Sequence, residues 1–197
     1  MGKMKTPIVR VGEKRRYGRG FWVGSPDFAM IITAAHCLPH YPPRLGSISY
    51  VSDRTYVDLI SSLDGKRKCS AECLFLDPIS DLAVFGCPED ELWEGYMEFA
   101  NESDFLEIAP LASGETSVRV MYDDSKSIRR VIGVAPPSRA NFYPRNFWIH
   151  RDEGGENRIK SGMSGSPILT DDGKAVGVLC NDDFGPLLSQ CLPQWIY

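Results

Sequence analysis

The sequence lacks any run approaching the ~20 continuous apolar residues of a membrane-spanning helix, so no spanning segment is expected. Its basic start, Met1-Gly2-Lys3-Met4-Lys5-Thr6, is not followed by the apolar stretch of a secretory signal, and it fits a myristoylation pattern only loosely. A cytoplasmic chain with no membrane partner is the expectation. An excess of positive charge is also missing: 22 Lys and Arg stand against 26 Asp and Glu, for a net charge of -4. That balance does not favour nucleic acid as a partner, and the short run Lys14-Arg15-Arg16 reads as a solvated cluster. There is no internal repeat, low-complexity tract or long linker. Cys69 and Cys73 are four apart with Cys87 following, but no second closely spaced Cys or His pair completes a zinc set. With no export signal visible, the six cysteines read as buried, reduced thiols rather than disulfides, and no metal or cofactor is expected.

What remains is ordinary globular material: 197 residues, 43% apolar and 24% charged, enough to bury a sizeable core in one medium domain or in two small barrels sharing a seam. Short apolar runs are broken by Gly, Pro, Asn and Asp. Phe28–Ile32, Leu82–Phe85, Ser117–Met121 and Ala175–Leu179 are strand-like. Ile168–Thr170, a turn at Asp171-Asp172-Gly173-Lys174, and Ala175–Leu179 read as a hairpin. Glu89–Phe99 is the best short-helix candidate and could equally be a surface loop. The pattern is that of an all-β barrel or sandwich. Tyr41-Pro42-Pro43-Arg44 and Ala135-Pro136-Pro137-Ser138 mark turns, the second where a boundary between two half-domains is expected.

Three segments carry chemistry. In Ile32-Thr33-Ala34-Ala35-His36-Cys37, a strand ends in small residues and then presents an imidazole, whose pKa near neutrality suits general-base work. In Asp77-Pro78-Ile79-Ser80-Asp81-Leu82-Ala83-Val84-Phe85, Asp81 enters an apolar strand, where a carboxylate needs a hydrogen-bonding partner. Asp77 competes with it but precedes a proline and reads as a turn residue. In Ser161-Gly162-Met163-Ser164-Gly165-Ser166-Pro167-Ile168, glycines flank Ser164, letting the chain turn sharply and aim amide N–H groups at one point. His40, in a Pro-rich turn, and His150, beside Phe147-Trp148-Ile149, are alternative imidazoles with structural roles as the favoured reading. The order His, Asp, Ser is that of chymotrypsin-like enzymes and not of subtilisin-like or α/β-hydrolase ones.

Together, Thr33–Cys37 (TAAHC), Asp81–Val84 (DLAV) and Gly162–Pro167 (GMSGSP) resemble the three motifs of the trypsin-like serine peptidases, and Arg19-Gly20-Phe21-Trp22-Val23 resembles the strand that precedes the His motif. The likeness runs from about Gly18 to Cys180. It implies a single peptidase domain over 1–197 built of two six-stranded antiparallel barrels, at about 6–100 and about 101–197, with the active site between them. It implies a serine endopeptidase acting through an acyl-enzyme, with Ser164 as nucleophile, His36 as base, Asp81 orienting it, and the N–H groups of Gly162 and Ser164 as the oxyanion hole. The alternatives are a catalytically silent binding module on the same fold and an esterase using the same triad.

The sequence departs from the family pattern in four places. Met163 stands where secreted members have an Asp that pairs with a newly cut N-terminus, so a chain active as made or switched by a partner protein is expected, as in intracellular, bacterial and viral members. Cys37 has no cysteine upstream to bridge to. Cys180 falls where many members have a Ser that supports the triad Asp. The sequence runs to Trp195-Ile196-Tyr197, and a PDZ segment of the kind bacterial relatives carry is not expected. The substrate is expected to be a protein or peptide. Its specificity pocket is expected to have a floor from Gly154–Lys160 and walls from Leu179, Cys180, Asn181, Asp182 and Asp183; Arg158 and Lys160 would favour an acidic side chain, and Asp182 and Asp183 a basic one.

Overall fold

The computed structural model describes residues 5–13, 16–42, 54–123, 126–134, 147–150, 159–181 and 184–196. The first half is a closed barrel of β1 (Ile8–Glu13), β2 (Arg16–Ser25), β3 (Phe28–Ala34), β4 (Thr55–Ser61), β5 (Lys68–Asp77) and β6 (Leu82–Gly86). Its order is β1-β2-β3-β6-β5-β4, and β4 closes the ring on β1 through Arg10–Ser61 and Val11–Ile60. Every residue of β6 is buried, which is why Leu82–Gly86 reads as a continuous apolar run and not as an alternating one. All the strand pairings are antiparallel.

The second half is a six-stranded sheet of β7 (Gly114–Asp123), β8 (Lys126–Val134), β9 (Phe147–His150), β10 (Pro167–Leu169), β11 (Ala175–Val178) and β12 (Phe184–Pro186), in the order β11-β10-β7-β8-β9-β12. This sheet is not closed. Its outer strands approach through one isolated antiparallel bridge, Gly177–Leu187, so the structure is all-β with one closed barrel. Alternation is clear in β7, where Val118 and Val120 are buried and their neighbours are not. The hairpin expected at residues 168–179 is β10 and β11, with Gly173 of its turn at φ +85°.

The helix expected at Glu89–Phe99 begins later. Asp90–Leu92 forms a 3-10 turn, and α1 follows over Trp93–Asn101. Tyr96, Phe99 and Ala100 are its buried face, at the i, i+3, i+4 spacing of one helix side. Tyr96 and Phe99 meet the indole of Trp22 edge-on, with ring centroids 5.1 and 5.7 Å away. The chain crosses between the two sheets over residues 102–113, where it is pinned to both: Leu106 N–H donates to Trp22 O (2.9 Å) and Ala109 N–H to Ala175 O (2.9 Å). The boundary expected at 135–138 is not one, since β8 and β9 on either side of it pair in the same sheet; residues 135–138, and 43–44 of the other Pro-rich turn, lie outside the described residues.

Two apolar cores result. One fills the barrel and extends to α1 and to Ala175 and Val178; the other holds Val118, Val120, Ile132, Trp148 and Val176. β11 therefore contributes to both cores, and the chain that follows it lies at their junction. No helix among the described residues is long and apolar enough to cross a membrane.

The buried Tyr96 hydroxyl donates to the carbonyl of Ala29 at 2.9 Å. Tyr96→Phe removes this buried hydrogen bond, so urea unfolding should register a loss of about 1 kcal/mol with the fold intact.

Candidate active site

β3 ends at Ala34, and a 3-10 turn over Ala35–Cys37 lifts His36 out of the barrel wall. Ala34 pairs with Leu82 across β3–β6, so Asp81 enters β6 directly beneath that turn, and Ala35 N–H donates to Asp81 O at 3.0 Å. Asp81 has φ +56°, a left-handed conformation that Asp tolerates better than most side chains. In that geometry its carboxylate grips His36 twice. Oδ1 accepts the backbone N–H at 2.8 Å, and Oδ2 lies 2.6 Å from Nδ1. Because a carboxylate only accepts, Nδ1 is the nitrogen that donates to it, which leaves Nε2 as the nitrogen that can carry a lone pair. Asp77 is occupied elsewhere: its Oδ1 accepts the N–H groups of Ile79 (2.9 Å) and Ser80 (3.2 Å), the turn role expected for it. His40 stacks on Tyr56 with ring centroids 4.9 Å apart, and His150 falls in β9.

Ser164 sits in a loop tied to both halves. Gly162 and Gly165 both have positive φ (86° and 84°). Gly165 N–H donates to Leu179 O (2.7 Å) and Leu179 N–H to Ser166 O (2.9 Å), which joins the loop to the segment after β11. From the barrel, Arg19 N–H donates to Ser164 O at 2.6 Å. Space there is tight. A Cβ on Gly165 would stand 1.8 Å from Arg19 O, and one on Gly18 would stand 2.3 Å from Cys37 Sγ and 2.5 Å from Ser164 O. Gly18 thus occupies the place beside Cys37 where a bridging cysteine would be needed. Met163 N–H is used by Lys160 O (3.1 Å), whereas among the described residues the N–H groups of Gly162 and Ser164 donate to no protein acceptor.

Ser164 Oγ donates to Cys180 O at 3.4 Å and makes no hydrogen bond to His36. The Cys180 thiol in turn donates to Asp81 O at 3.4 Å. Burial first, and the Asp81 charge second, push that thiol well above its ordinary value, so it remains a protonated donor. Cys37 Sγ lies 3.7 Å from Ser164 O. The structure therefore brings the three sequence-selected residues into one cluster, with His36 and Asp81 joined directly and Ser164 joined to them through Cys180 and Cys37.

A comparison of the sequence with protein-family models matches residues 18–178 to the trypsin-like peptidase domain. The chain belongs to the trypsin-like peptidase family. A comparison with curated proteins gave no match. Among solved structures it is similar to the human pathogenic astrovirus serine protease (15% identity, TM-score 0.55, covering 95% of this chain and 93% of that one). It is also similar to Deg5 (17%, 0.52, 95% and 86%) and to the NSP4 proteinase from Equine Arteritis Virus (11%, 0.51, 89% and 66%). At these identities the likeness is one of fold.

In this trypsin-like peptidase chain, Met163 is 4% exposed and packs into the second core, so burial fixes the residue before Ser164. Of the expected pocket residues, Leu179 is 1% exposed and belongs to that same core, Cys180 is buried against Asp81, Asn181 is exposed, and Lys160 is exposed. Arg158, Asp182 and Asp183 lie outside the described residues, as does 154–157. Sequence reasoning missed Arg19, whose backbone holds both Ser164 and, through Arg19 O, the Thr33 hydroxyl (2.6 Å). No side-chain signal marks it, because its amide and carbonyl do the work.

All six cysteines are thiols. Among the described residues no cluster of three or more His, Cys, Asp or Glu could hold a metal. Burial raises Cys69 from 9.0 to about 12 and Cys73 to about 11. A raised folded-state value stabilises the fold fully below the unfolded value, and this contribution is lost as pH rises through the folded values. The urea midpoint should therefore fall between pH 9 and about 12, and fall less in a Cys69→Ala, Cys73→Ala variant. Gly165→Ala places a methyl group against Arg19 O at positive φ; a loss of at least about 2 kcal/mol is expected by urea unfolding.

Proposed function

We propose that this chain is a serine endopeptidase in which His36, Asp81 and Ser164 act as a triad. The observation that carries the reading is the two-point hold of Asp81 on His36, which fixes one tautomer with Nε2 available as a base beside the loop that bears Ser164. On this reading Ser164 Oγ attacks the peptide carbonyl and its proton passes to Nε2. The imidazolium, stabilised by Asp81, then protonates the departing amine, and water releases the acyl-enzyme by the reverse roles. The N–H groups of Gly162 and Ser164, uncommitted among the described residues, receive the oxyanion; that of Met163 is already used and contributes nothing. The same reading takes the second sheet as the second barrel of the family, supported by the Gly177–Leu187 bridge between its outer strands.

Burial of Met163 supports a chain that needs no newly cut N-terminus to order this loop. One observation favours a second reading, a binding module without catalysis or an enzyme switched on by a partner protein: Ser164 Oγ is engaged by Cys180 O and not by His36. Labelling the purified chain with a fluorophosphonate distinguishes these. Under the proposal wild type labels, Ser164→Ala and His36→Ala do not, and peptide turnover falls by about 10⁴-fold in either variant. An unlabelled wild type favours the second reading. Hydrolysis of esters without any hydrolysis of peptides would make the chain an esterase.

A further inference from the structure

We propose that Arg10, Tyr17 and Arg19 form a subsite for an acidic side chain on the leaving-group side of the scissile bond; the inference rests on the peptidase reading above. Across β1–β2, Arg10 is paired with Arg19 and Gly12 with Tyr17, so the period of two puts Arg10, Tyr17 and Arg19 on one face. The other face of β1 carries Val9 and Val11 into the barrel core. Tyr17 is 42% exposed, and its ring lies 3.2 Å from where a Cβ on Gly162 would stand, so it borders the proposed oxyanion loop. The Arg10 guanidinium sits over that ring, 4.6 Å from its centroid. Arg19 Nε is fixed on Tyr122 O at 2.9 Å.

This face selects for an anion. Two guanidinium groups directly opposite one another repel, and no carboxylate forms an ion pair with either among the described residues. Arg10 Nε and Arg19 Nη1 are buried donors with no acceptor among the described residues. Burial, followed by the charge of Arg10, holds Arg19 below the usual guanidinium range. Asp123 is the acid that acts on Arg19 at longer range, and its carboxylate is 3.1 Å from Lys126 Nζ. A substrate carboxylate would supply the counter-charge that these two guanidinium groups lack among the described residues, and the planar fork of an arginine suits it.

The side of the site follows from the proton path. His36 must protonate the departing amine, so the departing segment leaves across the His36 side of Ser164. Gly18 lies on that side, between Cys37 Sγ and Ser164 O, and leads directly to Tyr17. Cys180 O, which accepts from Ser164 Oγ, belongs to the segment that follows β11.

The test is cleavage of a proteome-derived peptide library, with the new N-termini read by mass spectrometry and Ser164→Ala as the blank. Wild type should enrich Asp and Glu over Lys and Arg among the first residues after the cut by about tenfold. Arg10→Glu should reverse that ratio. Arg10→Gln, a milder change, should bring it close to unity, and the wild-type ratio should shrink in 0.5 M salt. Ser164-dependent cleavage without acidic enrichment on that side, or a ratio unmoved by either variant, overturns the subsite while leaving the peptidase reading intact. Absence of both cleavage and fluorophosphonate labelling overturns the peptidase reading and the subsite with it.

Discussion

One backbone hydrogen bond, from Arg19 N–H to the carbonyl of Ser164 at 2.6 Å, decides where the Ser164 loop of this molecule can lie. The donor belongs to the closed barrel and the acceptor to a loop that leads into the second sheet. The bond forms only because neither Gly18 nor Gly165 carries a Cβ, since the gaps on either side are too small for one. Thr33, on the strand that leads to His36, fastens the other side of the same residue by donating to Arg19 O. Ser164 is therefore tied to both halves, and the strand that holds it pairs over Gly20–Ser25 with the strand that leads to His36.

The His36–Asp81 pair obeys a different logic. It is assembled wholly within the barrel, from the ends of two adjacent strands, and its geometry follows from the β3–β6 register. The site thus combines a hydrogen-bonded His36–Asp81 pair with a serine brought in from the other half. Cys180 stands at the join, accepting from Ser164 through its carbonyl and donating to Asp81 through its thiol. Met163, packed into the second core, fixes the serine loop by apolar burial, a constraint that does not titrate.

Much of this was legible in the sequence because it is local. The three chemical segments, the strands that carry them and the hairpin after Ser164 all lie in short windows where composition and period are informative. The helix after Pro88 was legible as an alternative to a loop, and its burial against Trp22 settled the matter. What escaped depends on contacts distant in sequence. Gly18 is needed because of Ser164, and Tyr17 matters because it lies against Gly162. Leu179 was expected as a pocket wall from the family resemblance; the structure places its side chain in the second core. The Pro-rich run at 135–138 looked like a boundary because punctuation marks every loop alike, including one between paired strands of a single sheet. The second closed barrel that the family resemblance implied is not what the described residues form: the sheet stays open, and its two ends meet at the isolated bridge between Gly177 and Leu187.

The left-handed backbone of Asp81 separates two demands that usually coincide at one residue. The fold asks position 81 for a residue at ease with positive φ and for an acceptor to the His36 N–H, which Asn and Asp both supply. The imidazole asks for an anion, which only Asp among them supplies. An Asp-to-Asn exchange at 81 is thus an inexpensive evolutionary exit from chemistry: it alters one side-chain atom and leaves the barrel undisturbed. Relatives that keep this architecture as a scaffold for recognition alone would be expected to diverge first at that position.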